Sequence, residues 1–488
     1  MHRPQSYSFD TRGFAFAAKC LLVLTVLFGA ARYGTVFASE RLVQASYANL
    51  AQIEVQLVQL KNKRNTRSFG EVKVLEKLQE YENKLSTRTI GTASIETLSQ
   101  AHDRLIAADL EEMKLYLFEQ GHATATIDIL SKGRRGSRWE TPTGLYKIET
   151  KEEDHFSTIG EVHMPKSMQF FGNFFIHGWP YYPDGEPVPE GYSGGCIRLS
   201  TEDAARVFEF AERGTPIFVS DGAGTATSTI VVDDKALPKV SAEAFLVAEI
   251  TTGVVFAEHN AEEALPIASL SKLLTALVAN ETIHYDRTLS ITADDRRQTL
   301  GTPGTITTND TFTVGELLFP LLMESNNSVA YALARYHGTD SFMRWMNDKA
   351  WAIGMHDTHM EDPSGISPLN TATASDVFKL TRYIYDSQSF ILNMSRETQK
   401  KIVSETGREH SLGNYNVFAG NPQFLGGKTG YTDQARETMT TIFEVPIDNA
   451  TSTIAIIVLG SEDRKKDVTS LLSWFKSAAH IATTTSEI

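Results

Sequence analysis

Two places in this 488-residue chain hold side chains able to act as nucleophiles. The first is Cys196, within Tyr192-Ser193-Gly194-Gly195-Cys196-Ile197-Arg198-Leu199, with His177-Gly178 upstream at the end of a strand-like run. A thiol becomes nucleophilic when a nearby histidine or helix dipole lowers its pKa, and His177 can supply that base. Gly194 and Gly195 let the backbone bend and expose N–H groups beside the sulfur, donors suited to a developing oxyanion. The same residue types also fit a buried structural cysteine and a core histidine. The second place is Pro266-Ile267-Ala268-Ser269-Leu270-Ser271-Lys272. On a helix, Ser269 and Lys272 share a face, so a neutral lysine there can take the serine proton. Lysine is normally charged, so such a site must lower its pKa by burial or by a second cation. Pro266 places Ser269 near a helix start, where the dipole favours an alkoxide. A lone Ser-x-x-Lys is mostly a solvated helix face. Here Ser325-Asn326-Asn327 follows 56 residues later, and Lys428-Thr429-Gly430 stands in a strand-like run near the C-terminal end.

Several elements must position these groups. From Met113, short β-rich runs (KLYLFEQ, ATIDIL, LYKIET, NFFIHG, TPIFVS) alternate with Gly and Pro turns, and Ser200 starts a capped helix. Residues 221–240 are small and polar and suggest a linker. Beyond it, Ala244–Ile250 and Val254–Glu258 suggest a hairpin, and helical segments run to about 400. Strand-like runs over 423–430, 438–445 and 452–459 precede a final helix at 464–479. The hairpin and these three strands can form one antiparallel sheet with helices packed on it. The expected layout is an N-terminal segment 1–38, a helical spacer 39–111, a mainly-β unit 112–220, the linker 221–240 and an α/β unit 241–480. In the spacer, Leu50, Ile53, Leu57 and Leu60 follow helical spacing, extended by Val43. The stretch 40–63 is a candidate for self-association, but two heptads fall short of a dimerisation signal, so a stalk is the default.

Composition narrows the function. Hydrophobic residues make up 41% and charged residues 22%, as in globular protein. A net charge of −14 argues against general nucleic-acid binding, which needs a basic footprint. Two cysteines, Cys20 and Cys196, exclude a disulfide framework. No His-Glu-x-x-His or Cys/His cluster marks a metal site, and no cofactor is implied. Arg3, Arg12 and Lys19 precede the apolar run Cys20–Ala31, and Val36-Phe37-Ala38 precedes Ser39. This pattern predicts an export signal, either cleaved or retained as an anchor in the cytoplasmic membrane, with the remainder facing outward.

Taken whole, Thr141-Pro142-Thr143-Gly144, His177-Gly178 and Cys196-Ile197-Arg198 resemble the L,D-transpeptidase catalytic-domain family of cell-wall enzymes. The resemblance implies that Cys196 is the nucleophile and His177 its base. It also implies an oxyanion hole from the N–H groups of Gly194, Gly195 and Cys196, with Arg198 shaping the site. One position departs: the family usually has histidine where Gly194 stands, so an imidazole beside the thiol is lost. The triplet Ser269-x-x-Lys272, Ser325-x-Asn327 and Lys428-Thr429-Gly430 marks the penicillin-binding and β-lactamase superfamily. The words PIASLSKLLTALV, DPSGISPLNTATASDV and LGGKTGYTDQA resemble the D-alanyl-D-alanine carboxypeptidases of serine peptidase family S11. That resemblance implies that Ser269 attacks the peptide carbonyl, Lys272 is the general base and Ser325 relays a proton to the leaving amine. Asn327 would bind the substrate backbone, Lys428 would supply positive field and Thr429 would bind the terminal carboxylate. The N–H groups of Ser269 and Tyr431 would form the oxyanion hole. The implied partners are peptidoglycan stem peptides, with β-lactams as inhibitors. A serine unit of this kind trims pentapeptide stems to tetrapeptides, and a cysteine unit uses tetrapeptides to make 3–3 cross-links. The alternatives are a cysteine unit that only binds peptidoglycan, or a serine unit that cleaves existing cross-links.

Overall fold

The computed structural model describes residues 94–221, 228–297 and 304–481. The expected signal or anchor, the seam over 40–63 and most of the spacer lie outside the described residues. Among the described residues, no helix is long and apolar enough to cross a membrane.

The cysteine domain is two sheets and little helix. One sheet has the order β3-β2-β1-β9-β4, built from Arg104–Asp109 (β1), Lys114–Glu119 (β2), His122–Asp128 (β3), Gly144–Lys147 (β4) and Pro216–Ser220 (β9). The other has the order β5-β6-β7-β8, from Thr150–Ser157, Val162–Phe171, Phe174–His177 and Ile197–Arg198. β1 falls in the stretch assigned above to a helical spacer, so the domain begins earlier than residue 112. Its sequence RLIAAD has no polar alternation because both faces are covered. Ile106 and Ala108 face the main core, while Leu105 and Ala107 pack with Leu98 of the short helix Ile95–Ala101. An unbroken apolar run of this length does not distinguish strand from helix.

The serine domain is a five-stranded antiparallel sheet with helices on both faces. Ala244–Glu249 (β11) and Val255–His259 (β12) form the expected hairpin, and the strands Phe424–Thr432, Arg436–Ile447 and Ala450–Ser461 complete the sheet. The helix Arg464–Ala478 covers one face through Val468, Leu471 and Phe475. The helices Ser271–Thr282 and Ala374–Ser387 lie in the core on the other side. Part of the expected linker is a strand: Ile230–Val232 (β10) pairs antiparallel with Ala479–Ile481, so the end of the domain clasps its beginning.

The two domains share one apolar core, which runs from Ile106 and Phe171 to Leu277 and Ala352. A buried polar network crosses this seam. Lys349 Nζ donates to Glu281 Oε1 and Tyr383 Oη of the serine domain and to Tyr146 Oη of the cysteine domain, each at 2.8 Å. Burial pushes Glu281 up and Lys349 down, and their contact opposes both shifts. Gly144 allows close approach at the same seam, since a Cβ there would lie 2.7 Å from the Ala352 carbonyl oxygen.

Two candidate active sites

In the serine domain, a tight 3₁₀ turn, Ala268–Leu270, leads straight into the helix Ser271–Thr282. Ala268 is held at φ +48°, a left-handed conformation that surrounding contacts must enforce. Gly365 is required beside it, because a Cβ there would fall 1.9 Å from the Ala268 carbonyl oxygen. Lys272, on the helix face below, brings Nζ to 2.8 Å from Ser269 Oγ and donates to the Ser364 carbonyl at 2.5 Å. Burial pulls Lys272 down to about 7, with the Asp362 carboxylate opposing. Its neutral form, able to take a serine proton, is therefore present at neutral pH.

The other motifs converge here. Lys428 Nζ donates to Ser325 Oγ at 2.9 Å and to the Thr429 carbonyl at 2.7 Å. Burial first, then Lys272 and Arg464, hold Lys428 well below the usual lysine range. Ser325 stands at φ +55°, a second left-handed residue at the site. Asn326 caps the next helix by accepting the Val329 N–H, and Asn327 begins that helix, half-buried. The strand carrying Lys428 runs alongside the Ala268–Leu270 turn. A Cβ on Gly430 would lie 2.9 Å from the Ser269 nitrogen, so glycine there brings strand and turn together. Thr429 is buried, while Tyr431 is 61% exposed, its hydroxyl on Asp433 Oδ1 at 3.1 Å.

In the cysteine domain, β7 and β8 pair in parallel, Ile176 opposite Ile197 and His177 opposite Arg198. Period-two alternation puts Cys196, Arg198 and His177 on one face of this ribbon. His177 Nδ1 donates to the Gly178 carbonyl at 2.6 Å, which leaves Nε2 as the basic nitrogen. Cys196 is 9% exposed, packs against Phe175 and Met164, and donates its S–H to the Asn173 carbonyl at 3.7 Å. Burial pushes this thiol up to about 11 and His177 down to about 4. The pair therefore rests as a neutral thiol and a neutral imidazole.

The glycines around Cys196 differ. Gly195 has φ +103°, and a Cβ there would strike the Phe174 ring at 2.3 Å. Its N–H is engaged by Ser193 Oγ at 3.1 Å, so this resting conformation does not leave all three expected oxyanion donors free. Gly194 is exposed and a Cβ there meets nothing within 4 Å. Arg198 lies over the Trp179 ring at 5.7 Å, and its Nε is buried without a hydrogen-bond partner. Among the described residues, no His, Cys, Asp or Glu group is arranged to hold a metal ion.

A D-alanyl-D-alanine carboxypeptidase (peptidase S11) family model matches residues 231–462, and an L,D-transpeptidase catalytic-domain model matches 103–219. Over 206 residues the chain is 30% identical to a D-alanyl-D-alanine carboxypeptidase of Mycobacterium tuberculosis, covering 41% of this chain and 70% of that protein. This chain belongs to the D-alanyl-D-alanine carboxypeptidase family, with an L,D-transpeptidase catalytic domain ahead of it. It is also 28% identical over 275 residues to a D-alanyl-D-alanine endopeptidase of Pseudomonas aeruginosa, covering 54% of this chain and 86% of that protein. A solved D-alanyl-D-alanine carboxypeptidase from M. tuberculosis H37Rv aligns over 52% of this chain and 99% of its own, with 25% identity and a TM-score of 0.46.

In the carboxypeptidase-family domain, motif reading missed the supports behind the named residues. The Ser364 carbonyl receives Lys272, and Asp362 holds that loop by accepting from the backbone of Ser364, Gly365 and Ser367. Arg464 donates to the Gly430 carbonyl at 2.7 Å and bears on Lys428. The run Asp362-Pro363-Ser364-Gly365 was a signal for a tight, backbone-binding turn. Nothing in the sequence pointed to Asn173 or to Arg464.

Proposed function

We propose that this chain is a peptidoglycan peptidase whose serine domain removes the terminal D-Ala from stem pentapeptides, and whose cysteine domain makes 3–3 cross-links from the resulting tetrapeptides. The carrying observation is Ser269 Oγ 2.8 Å from the buried Nζ of Lys272, a lysine brought to about 7. In this reading neutral Lys272 takes the Ser269 proton as Oγ attacks the carbonyl between the two D-alanines. Backbone N–H groups of Ser269 and Tyr431 hold the oxyanion. Ser325, fixed by Lys428, returns a proton to the leaving amine, and D-Ala departs. Thr429 and Lys428 receive the terminal carboxylate, and Asn327 holds the substrate backbone. Water then releases the acyl group.

In the cysteine domain, His177 Nε2 takes the Cys196 proton as sulfur attacks the carbonyl of the third stem residue. That proton passes to the amine of the terminal D-Ala, which departs, and an amine of a neighbouring stem then displaces the sulfur and receives the acyl group. The N–H groups of Gly194, Gly195 and Cys196 would hold the oxyanion, which requires Ser193 to release the Gly195 N–H. Arg198, with its free buried Nε, shapes the pocket for the donor stem. The substrate lies outside the cytoplasmic membrane, so the segment 1–38 acts as the export signal or anchor. β-Lactams, as analogues of the scissile amide, acylate the nucleophiles.

A second reading replaces trimming with cleavage of existing cross-links. It is favoured by the likeness to the P. aeruginosa protein named an endopeptidase. Purified protein given a pentapeptide muropeptide and, separately, cross-linked dimers distinguishes the two. Loss of one alanine, absent in Ser269→Ala and retained in Cys196→Ala, supports the carboxypeptidase. Dimer cleavage without alanine release supports the endopeptidase. New dimers lost only in Cys196→Ala support the transferase, whereas bound muropeptide without product makes the cysteine domain a binding module.

A further inference from the structure

The two centres are joined by one short turn. Between β6 and β7, Phe171-Gly172-Asn173-Phe174 leaves the cysteine domain and seats on the last turn of the helix that begins at Ser271-Lys272. Gly172, at φ +48°, is close enough that a Cβ would lie 2.8 Å from Thr282 Cγ2. Asn173 Nδ2 donates to the Thr282 carbonyl at 2.8 Å, one of the carbonyls a helix end leaves unpaired. The same Asn173 offers its own backbone carbonyl to the Cys196 thiol at 3.7 Å. The turn has no slack: Gln169 Nε2 donates to the Gly172 carbonyl at 2.6 Å, and the Phe171 ring lies 5.3 Å from Lys349 Nζ.

We propose that Asn173 is a positioning residue of the cysteine centre that is anchored by the serine domain: its carbonyl holds the Cys196 thiol in a protonated resting orientation, and its amide clamps that carbonyl in place on the Thr282 helix end. The inference rests on Cys196 being the nucleophile of its domain. An S–H bond is weak by itself, so its hold depends on an acceptor that cannot move. The clamp supplies that rigidity. The Phe175 N–H favours the thiolate, so displacement of the Asn173 carbonyl shifts the sulfur toward its reactive form. The ionisable groups around this corner are Arg198, His177 and His155, the last stacked on Phe175 at 4.9 Å. The clamp is separable from the serine domain's own integrity. The Thr282 carbonyl also accepts from His337 Nε2 at 2.9 Å, so loss of the Asn173 amide leaves it satisfied.

The test is iodoacetamide alkylation of Cys196 in the full-length protein from neutral to alkaline pH, located by peptide mass, with labelled penicillin on Ser269 as a control for folding. Asn173→Ala and Asn173→Leu remove the amide donor, and the second keeps the side-chain volume without adding charge and decides the matter should the first not fold. Both are expected to raise the alkylation rate at neutral pH about tenfold and move the profile to lower pH, within the range of coupling between sites. Ser269 labelling should be unchanged. A folded Asn173→Leu protein with the parent's rate and profile overturns the proposal. Alkylation needs no turnover. A shifted profile in a protein whose Cys196 never carries an acyl group would therefore support the clamp while removing the transferase function.

Discussion

Burial acts on the two centres in opposite senses. In the serine domain the buried group is Lys272, a cation when protonated, and exclusion of water lets it lose its proton near pH 7. In the cysteine domain the buried group is the Cys196 thiol, an acid. The same exclusion keeps Cys196 protonated, and it keeps His177 from becoming the cation that would stabilise a thiolate. One physical effect arms the first centre and holds the second at rest. The serine site is assembled before substrate arrives, while the cysteine site has its thiol turned to a carbonyl and one expected oxyanion donor engaged by Ser193.

The contrast is broken most severely at Ser269. Ser269→Ala should lower D-Ala release by roughly 10⁴-fold or more, as for other catalytic nucleophiles, while Cys196 alkylation keeps its rate. Steady-state release and peptide mass mapping check the two halves. Lys272→Arg, which holds a permanent charge where a neutral amine is required, should cost roughly 10²–10⁴-fold in acylation by labelled penicillin. In the parent protein the neutral amine predominates above its pKa, so acylation should fall steadily as pH drops below about 7. An acylation rate flat through that range would separate Lys272 from the proton transfer.

The shared core makes a further claim. Lys349→Met leaves Glu281 buried without its cation, at a cost of about 3–5 kcal/mol, and Tyr146→Phe removes two hydrogen bonds, one from Lys349 and one to the Thr143 carbonyl, about 1–3 kcal/mol together. Both should lower the thermal midpoint of both domains together, followed by calorimetry. Unfolding of the cysteine domain alone would show that the seam does not unite them. The smallest effect sharpens the comparison from the resting side. A side chain at Gly194 meets open space, so Gly194→His should add an imidazole without strain. A neighbouring cation lowering the thiol pKa by about one unit raises the thiolate fraction tenfold, which alkylation at fixed pH would read.

What the sequence disclosed follows the same division. The hairpin of Ala244–Ile250 and Val254–Glu258 was legible, and so was the convergence of Ser269 with Lys272 and of Ser325 with Lys428, because period-two patterning and motif spacing are local properties. The strand β1 was not, because a strand buried on both faces loses its alternation. The β5–β6 hairpin was missed for the opposite reason: TKEEDHFS lies at a sheet edge with no fully buried residue and carries almost no apolar signal. β10 looked like linker because three residues suffice once Ala479–Ile481 supplies their partner from the far end of the chain. The site residues that act through backbone atoms, the Ser364 and Asn173 carbonyls, have no side-chain signature to find. The Lys349 network joins residues more than 200 positions apart, from Tyr146 to Lys349, and only the folded chain brings them together.

The most direct measurement is the mass of the intact protein after labelled penicillin and then a carbapenem, with each adduct mapped to its peptide. An acyl group on Ser269 from the first and on Cys196 from the second is the expected result. Protein that keeps its unmodified mass through both treatments would contradict the assignment of either side chain as a nucleophile.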